Sequence, residues 1–345
     1  MPVRVAVDAL GGDYGLRVAV EGSVSACREQ GEIHVLLVGP KDAVAAELAR
    51  AGGDSRINII DAPESVAMGE KVTRATLKKR SSIQVAIEQL RDGKADAFFS
   101  AGNTAACWAI SKLVLGTLEE VDRAALAAVM PNLKGHTVLL DVGANANCRA
   151  RHLEEFAVMG SVYAEMGLGI PNPRVGLLSV GEEETKGNEL TKEVHEVLKA
   201  SKVNFVGNVE GRDIFTGTTD VVVTDGFTGN VVLKASETLA TSMMKLIKQE
   251  LMRSWRTKIG ALLSKPAFLA IKKRVDPDEH GGVPLLGIKG ACLIGHGKSD
   301  AYAIKNGIQA AARFYKSGVN QGIEAALRGL DRGGHNAPAT GTGSH

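Results

Sequence analysis

Aromatic residues are scarce in this 345-residue chain, where Phe, Trp and Tyr together make up 4%. A core so poor in rings must be filled by Val, Ile, Leu and Ala, and the 40 glycines supply many tight turns. That balance favours a parallel α/β protein over a sandwich, as one large domain or two smaller ones. The four cysteines, Cys27, Cys107, Cys148 and Cys292, show neither a CxxC pair nor a zinc spacing. They read as reduced thiols of a cytoplasmic protein. Strong charge is missing too: a net +2 is too mild to indicate a nucleic-acid partner. No basic-then-apolar leader opens the chain, and no run is apolar enough to span a bilayer. Cytoplasmic location is the default expectation.

What is present is a series of short β-branched runs, each closing on small or polar residues and followed by a helical segment. The runs are Val3 to Asp8, His34 to Val38, Ile57 to Ile60, Asp96 to Ser100, Thr137 to Asp141, Arg174 to Val180, Asn204 to Val206, Asp220 to Thr224 and Ala291 to Ile294. Continuous rather than alternating apolar character predicts strands buried on both faces of a mostly parallel sheet. Helices are expected over Ser82 to Arg91, Leu153 to Glu165, Gly187 to Lys199 and Asn230 to Glu250. Residues 1–332 are read as one α/β unit, and Gly333 to His345 as a disordered tail.

Five loops after strands share one character. They are Asp8-Ala9-Leu10-Gly11-Gly12-Asp13, Ser100-Ala101-Gly102-Asn103-Thr104, Asp141-Val142-Gly143-Ala144-Asn145, Gly181 to Asn188 with Lys186 inside it, and Asp225-Gly226-Phe227-Thr228-Gly229-Asn230. Glycine lets backbone N–H groups approach an anion, and the following helix N-terminus adds partial positive charge. In a parallel sheet these loops would share one edge and could enclose a phosphate. Turns and helix caps use the same residues, so each loop alone has a structural reading as well. No GxxxxGK[ST] loop is present and no GxGxxG follows the first strand, which removes the sequence support for ATP or dinucleotide binding.

In order and spacing, these loops resemble the acyl-ACP:phosphate acyltransferase (PlsX) family. The resemblance runs from Val3 to about Tyr315 and includes Gly207-Asn208-Val209-Glu210-Gly211-Arg212-Asp213 and Gly282-Val283-Pro284-Leu285-Leu286-Gly287. Leu10, Tyr14 and Ala105 are local departures that remove no chemically capable group. The resemblance implies a three-layer α/β/α fold related to isocitrate and isopropylmalate dehydrogenases and to phosphotransacetylases. It also implies a homodimer that moves a fatty acyl group from acyl carrier protein to inorganic phosphate, giving acyl phosphate without a cofactor or metal.

In such a reaction a phosphate oxygen attacks the thioester carbonyl, so the site must hold a dianion and stabilise an oxyanion. No Gly-x-Ser-x-Gly elbow is present and no cysteine has an evident histidine partner, which argues against a covalent intermediate. Lys186 is the expected cation for phosphate or oxyanion, with a solvated lysine beside Glu182-Glu183-Glu184 as the plainer reading. Asn230 is the expected neutral donor to the carbonyl oxygen, or else a capping residue. Asn103, Thr104 and Asn145 would supply further donors. Asp8, Asp13, Asp141 and Asp225 either orient donors or cap helices, and the remaining contacts are assigned to Gly11, Gly12, Ser100, Gly102, Asn188 and Gly226. His296, within Gly295-His296-Gly297, could protonate the leaving thiolate, or be a hydrogen-bonded loop histidine.

Leu251 to Val275 stands apart. Trp255, Ile259, Leu262 and Leu263 fall on one helical face among Arg253, Arg256, Lys258 and Lys265. After Pro266, Phe268, Leu269 and Ile271 precede Lys272-Lys273-Arg274. A basic amphipathic hairpin suits an anionic membrane surface, and equally suits helices packed across a dimer. The resemblance implies a peripheral protein on the inner face of the plasma membrane, with the downstream glycerol-phosphate acyltransferase as a candidate partner. Lys78-Lys79-Arg80 and Lys272-Lys273-Arg274 are candidate docking charges for the acidic carrier protein, or plain solvated faces. Competing readings are a phosphotransacetylase-like enzyme using coenzyme A esters, a dehydrogenase whose aspartates hold Mg²⁺, and a non-enzymatic acyl- or anion-binding scaffold.

Overall fold

A computed structural model of the chain describes residues 2–279 and 281–328, so the tail expected from Gly333 lies outside the described residues. Eleven strands among them form one sheet. The strands are β1 (Val3–Asp8), β2 (Ile33–Gly39), β3 (Ile57–Asp61), β4 (Ala97–Ser100), β5 (Ala125–Pro131), β6 (His136–Leu140), β7 (Val175–Leu178), β8 (Phe205–Val209), β9 (Val221–Val223), β10 (Val283–Leu286) and β11 (Ala291–Ile294). The helices are α1 (Leu16–Glu29), α2 (Lys41–Arg50), α3 (Ser82–Arg91), α4 (Thr104–Val114), α5 (Ala150–Val162), α6 (Glu189–Ala200), α7 (Asp213–Thr216), α8 (Gly226–Leu251), α9 (Trp255–Leu263), α10 (Lys265–Val275), α11 (Ala301–Ser317) and α12 (Val319–Arg328).

Both faces of the sheet are covered, which gives the expected three layers. Successive residues of a strand point to opposite faces. Accordingly Val5, Phe99, Leu140, Val221 and Leu293 join the core that contains α1, α5 and α11, while Ala6, Phe98, Leu139, Val222 and Cys292 join the core that contains α3 and α4. Removing a side chain such as Phe98 or Leu139 from water contributes about 1.5–3 kcal/mol. The two-sided burial explains why these strands read as unbroken apolar runs.

Strand order is β3-β2-β1-β4-β11-β10-β5-β6-β9-β7-β8. Neighbours are parallel within β3-β2-β1-β4-β11 and within β6-β9-β7-β8. The three pairings between these blocks, β11 with β10, β10 with β5 and β5 with β6, are antiparallel. Three successive reversals make the two blocks run in opposite directions. The expectation that all five loops leave one edge is therefore corrected: the loops after β1 and β4 leave one block, and those after β6, β7 and β9 leave the other. Strands β5 and β10, absent from the sequence-derived set, cause the reversal.

Helix α8 has 26 residues and would be roughly 39 Å long at 1.5 Å per residue. Only Gly226 and Gly229 of it are buried, and α9 and α10 bury no residue. The three form an arm beyond the sheet. Ser254 caps α9 through its hydroxyl, reciprocated by Thr257, and Pro266 sits in the first turn of α10, where its missing N–H costs nothing. The predicted hairpin is thus two short helices meeting at Ser264, with Trp255, Ile259, Leu262, Leu263 and Leu269 exposed and Phe268 half-buried. No described helix is long and apolar enough to cross a membrane.

Candidate active site

Each block of the sheet ends in a buried aspartate that organises its loops. At the end of β1, the Asp8 carboxylate accepts the Ser100 hydroxyl at 2.7 Å and the Leu10 N–H at 3.0 Å, and the Ser100 oxygen in turn accepts the Gly102 N–H at 2.9 Å. Gly11 must lack a side chain, because a Cβ there would lie 2.6 Å from the Asp8 carboxylate and 2.7 Å from the Gly102 nitrogen. Burial pushes the Asp8 carboxyl above its usual range, with the hydrogen bonds from Ser100 and the backbone opposing it. This knot sets the exit of the chain through Gly12 to Asp13, whose N–H donates to the Gly297 carbonyl at 2.7 Å.

At the end of β6, Asp141 accepts four hydrogen bonds, from the Leu126 N–H at 3.0 Å, the Ala144 N–H at 3.1 Å, the Asn145 N–H at 2.6 Å and the Asn145 amide at 3.0 Å. Burial again pushes the carboxyl up while these donors pull it down. The Asn145 amide also donates to the Ala124 carbonyl at 2.8 Å, so its side chain is committed to the loop. Helix α8 docks on this loop: the Gly226 N–H donates to the Asn145 carbonyl at 2.8 Å, and a Cβ at Gly229 would overlap the Asp141 carbonyl oxygen.

Several predicted residues prove to be caps. Asp225 accepts the Thr228 N–H at 2.9 Å and its hydroxyl at 2.7 Å, and Asn188 accepts the Thr191 N–H at 2.8 Å. Asn103 caps α4 through the Ala106 N–H and donates its amide to the carbonyls of Ala67, Met68 and Glu70 at 3.0–3.1 Å. Thr104, directly after the Asn103 cap, and Asn230, five residues after the Asp225 cap, are exposed. The His296 ring nitrogen Nδ1 accepts the Lys298 N–H at 3.2 Å, which leaves Nε2 as the protonated nitrogen of the neutral ring.

Asp13, Thr104 and His296 from one block meet Val142 and Asn230 from the other in a single cavity of about 1520 Å³. Ordinary small-molecule sites occupy roughly 300–1,000 Å³. Most of the rest of its lining is apolar, with Leu126, Ala128 and Met130 on β5, Leu233, Ala240, Met244 and Leu251 along α8, and Phe268 and Val275 on α10, while Lys234, Lys245, Lys248 and Lys272 border it from the same two helices. Phe268 therefore faces the cavity. Lys298 lines the cavity as well, and the sequence reading passed over it although its neighbour His296 was singled out. Lys186 is exposed, its N–H donating to the Glu183 carbonyl at 3.0 Å. Its loop leaves the same edge as those after β6 and β9, but it is not among the residues that line the cavity.

Burial pushes every cysteine thiol up, Cys27 and Cys148 to about 11 and Cys292 to about 12. A thiolate nucleophile at neutral pH is thereby disfavoured.

Comparison with known proteins agrees with this architecture. A solved phosphotransacetylase from Streptococcus pyogenes shares the fold with a TM-score of 0.64 at 16% identity, covering 91% of this chain and 94% of that one. The 4-hydroxythreonine-4-phosphate dehydrogenase from Klebsiella pneumoniae follows at 0.51 and 14% identity, covering 91% and 98%. In sequence, the phosphate acyltransferase of Acidobacterium capsulatum is 49% identical over 94% of this chain and 97% of its own length. The model of the fatty acid synthesis protein family matches residues 3–322. Identity at that level over nearly the whole length means that the chain belongs to this family of acyltransferase enzymes, the phosphate acyltransferases.

Proposed function

We propose that the enzyme transfers a long-chain fatty acyl group from acyl carrier protein to inorganic phosphate, giving acyl phosphate for phospholipid synthesis. The observation that carries this reading is the cavity: a large, mainly apolar space between β5 and α8 whose lining also includes Asp13, Thr104, Asn230, His296 and Lys298. The apolar lining suits an alkyl chain and the polar groups suit a thioester and an anion. A phosphate oxygen attacks the thioester carbon, forming a C–O bond and a tetrahedral oxyanion. Collapse breaks the C–S bond and releases the carrier-protein thiolate, which takes a proton from solvent.

Asn230 is assigned to the oxyanion, because it is exposed, lines the cavity and is a neutral amide donor near the N-terminal end of α8. Lys298 and Thr104, which line the cavity, are assigned to phosphate, and Lys186, exposed on the loop after β7, is assigned to it as well. Asp8 and Asp141 shape the two anion-facing loops, and the buried Asn145 and Asn103 serve with them. The arm of α8, α9 and α10 is assigned to an anionic membrane surface and to a homodimer, which keeps a lipid product near the next enzyme, the downstream glycerol-phosphate acyltransferase.

The test is release of carrier-protein thiol from palmitoyl-acyl carrier protein with and without phosphate, following acyl phosphate by mass spectrometry. Phosphate-dependent release is expected. Intact carrier protein beside turnover of palmitoyl-coenzyme A would replace this donor by the coenzyme A ester.

A further inference from the structure

A second cluster of ligand-type side chains joins the loop between β7 and α6 to α6 itself. His195 is 3% exposed, and its Nδ1 lies 3.0 Å from Asn208 Oδ1. The Asn208 amide nitrogen donates to the Glu183 carbonyl at 2.9 Å, which fixes the amide so that its oxygen faces the imidazole. Nδ1 must therefore carry the proton. In the neutral ring the lone pair then sits on Nε2, which points at Glu184 Oε1 3.6 Å away. Glu196 reaches the same space: one ligand atom from each of Glu184, His195 and Glu196 lies within 4.8 Å of the others. With Nδ1–H held by Asn208, Nε2 is the ring nitrogen turned to the two carboxylates, and as a lone pair it would complete with them a nitrogen and oxygen ligand set for a cation.

We propose that Glu184, His195 and Glu196 bind one divalent transition-metal ion of the zinc type, which ties the β7–α6 loop to α6. An imidazole whose Nδ1–H is held by a fixed acceptor, with Nε2 free to ligate, is the arrangement of metal-binding histidines. One imidazole and two carboxylates give a three-ligand nitrogen and oxygen set with a further position for water. Bonds of about 2.0–2.2 Å in a tetrahedron place neighbouring ligand atoms roughly 3.4 Å apart. The His195–Glu184 pair already stands near that value, and the exposed Glu196 needs only a side-chain rotation. The nitrogen ligand is held in place by Asn208 and by the edge of its ring against Phe205, with centroids 5.2 Å apart. Lys199 donates to Glu184 Oε1 at 2.9 Å and so competes with a metal for that oxygen.

The experiment titrates the chelator-treated, untagged full chain with Zn²⁺ by calorimetry, in a Cys148→Ser background because that thiol alone among the four is not fully buried. About one equivalent per chain is expected, weakened about tenfold or more by Glu196→Gln. Amide exchange across residues 181–188 should slow when Zn²⁺ is added. Lys199→Met removes the competing ammonium and should tighten binding severalfold, a gain that a misfolded variant could not give. No binding, or binding unchanged by both substitutions, would overturn the proposal.

Discussion

Replacing Asp141 by alanine should be among the most damaging single changes outside the hydrophobic core, and its cost can be worked from the hydrogen bonds. The carboxylate accepts from three backbone N–H groups, of Leu126, Ala144 and Asn145, and from the Asn145 amide. The amide keeps its second acceptor at Ala124, whereas the three backbone donors keep none at the positions the carboxylate held. A buried donor left unsatisfied costs about 1–3 kcal/mol. Water entering the space brings each towards the low end, and removing a carboxyl that burial already disfavours gives a little back. The net loss is about 4 kcal/mol. Urea unfolding followed by circular dichroism would read it as a lower midpoint at unchanged slope. Asp225→Ala, which removes one helix cap, is the internal control and should cost about 1 kcal/mol. If Asp141→Ala cost no more than the control, the view that Asp141 pins the β5, β6 and α8 junction would be wrong.

Asn230→Ala should lower kcat about 10²–10³-fold with the fold intact, as loss of one oxyanion donor does, and near-normal turnover would remove its assigned role. Lys298→Ala and Lys186→Ala should each raise the KM for phosphate; if only Lys186→Ala does so, the anion lies on its loop rather than in the cavity wall. Ala240→Trp narrows the cavity, so kcat/KM should fall for palmitoyl donors while octanoyl donors are spared, and equal losses would move the acyl chain elsewhere. Burial and the nearby Asp276 and Asp300 raise the Asp278 carboxyl to about 6. Because the folded value exceeds the unfolded one, its stabilising contribution is present below about pH 4 and is lost as pH rises through about 6. Asp278→Asn should accordingly raise the Tm above that window relative to wild type and change it little below. A shift of the same size at both ends, read by calorimetry, would contradict the assignment.

Strands with β-branched runs were legible in the sequence: β1 and β11 fall where Val3 to Asp8 and Ala291 to Ile294 predicted them. The two that were not legible have composition to blame. Strand β5 reads Ala-Leu-Ala-Ala-Val-Met-Pro, and alanine has little strand preference, while β10 carries Pro284, which marks against a central strand. Both lie where the sheet reverses, so missing them also misplaced the loops. Within the site, Asp-Gly and Gly-Asn pairs announced tight loops without revealing which polar groups spend their hydrogen bonds inward. Asn145 and Asn103 do so, whereas Asn230 and Thr104 do not. Composition could not separate them, because an amide is equally suited to a carbonyl and to a ligand. Lys298 was hidden for the opposite reason: a lone lysine in a loop carries no pattern.

The seam between the two blocks also has a mechanical meaning. Strand β10 is joined to β11 by two residue pairs and to β5 by two, whereas β1 and β2 share six. The α8 arm belongs to one side of that seam, while Asp13, Thr104 and His296 belong to the other. The cavity takes walls from both sides of the seam, so its width is set by how the two blocks are joined through β5 and β10.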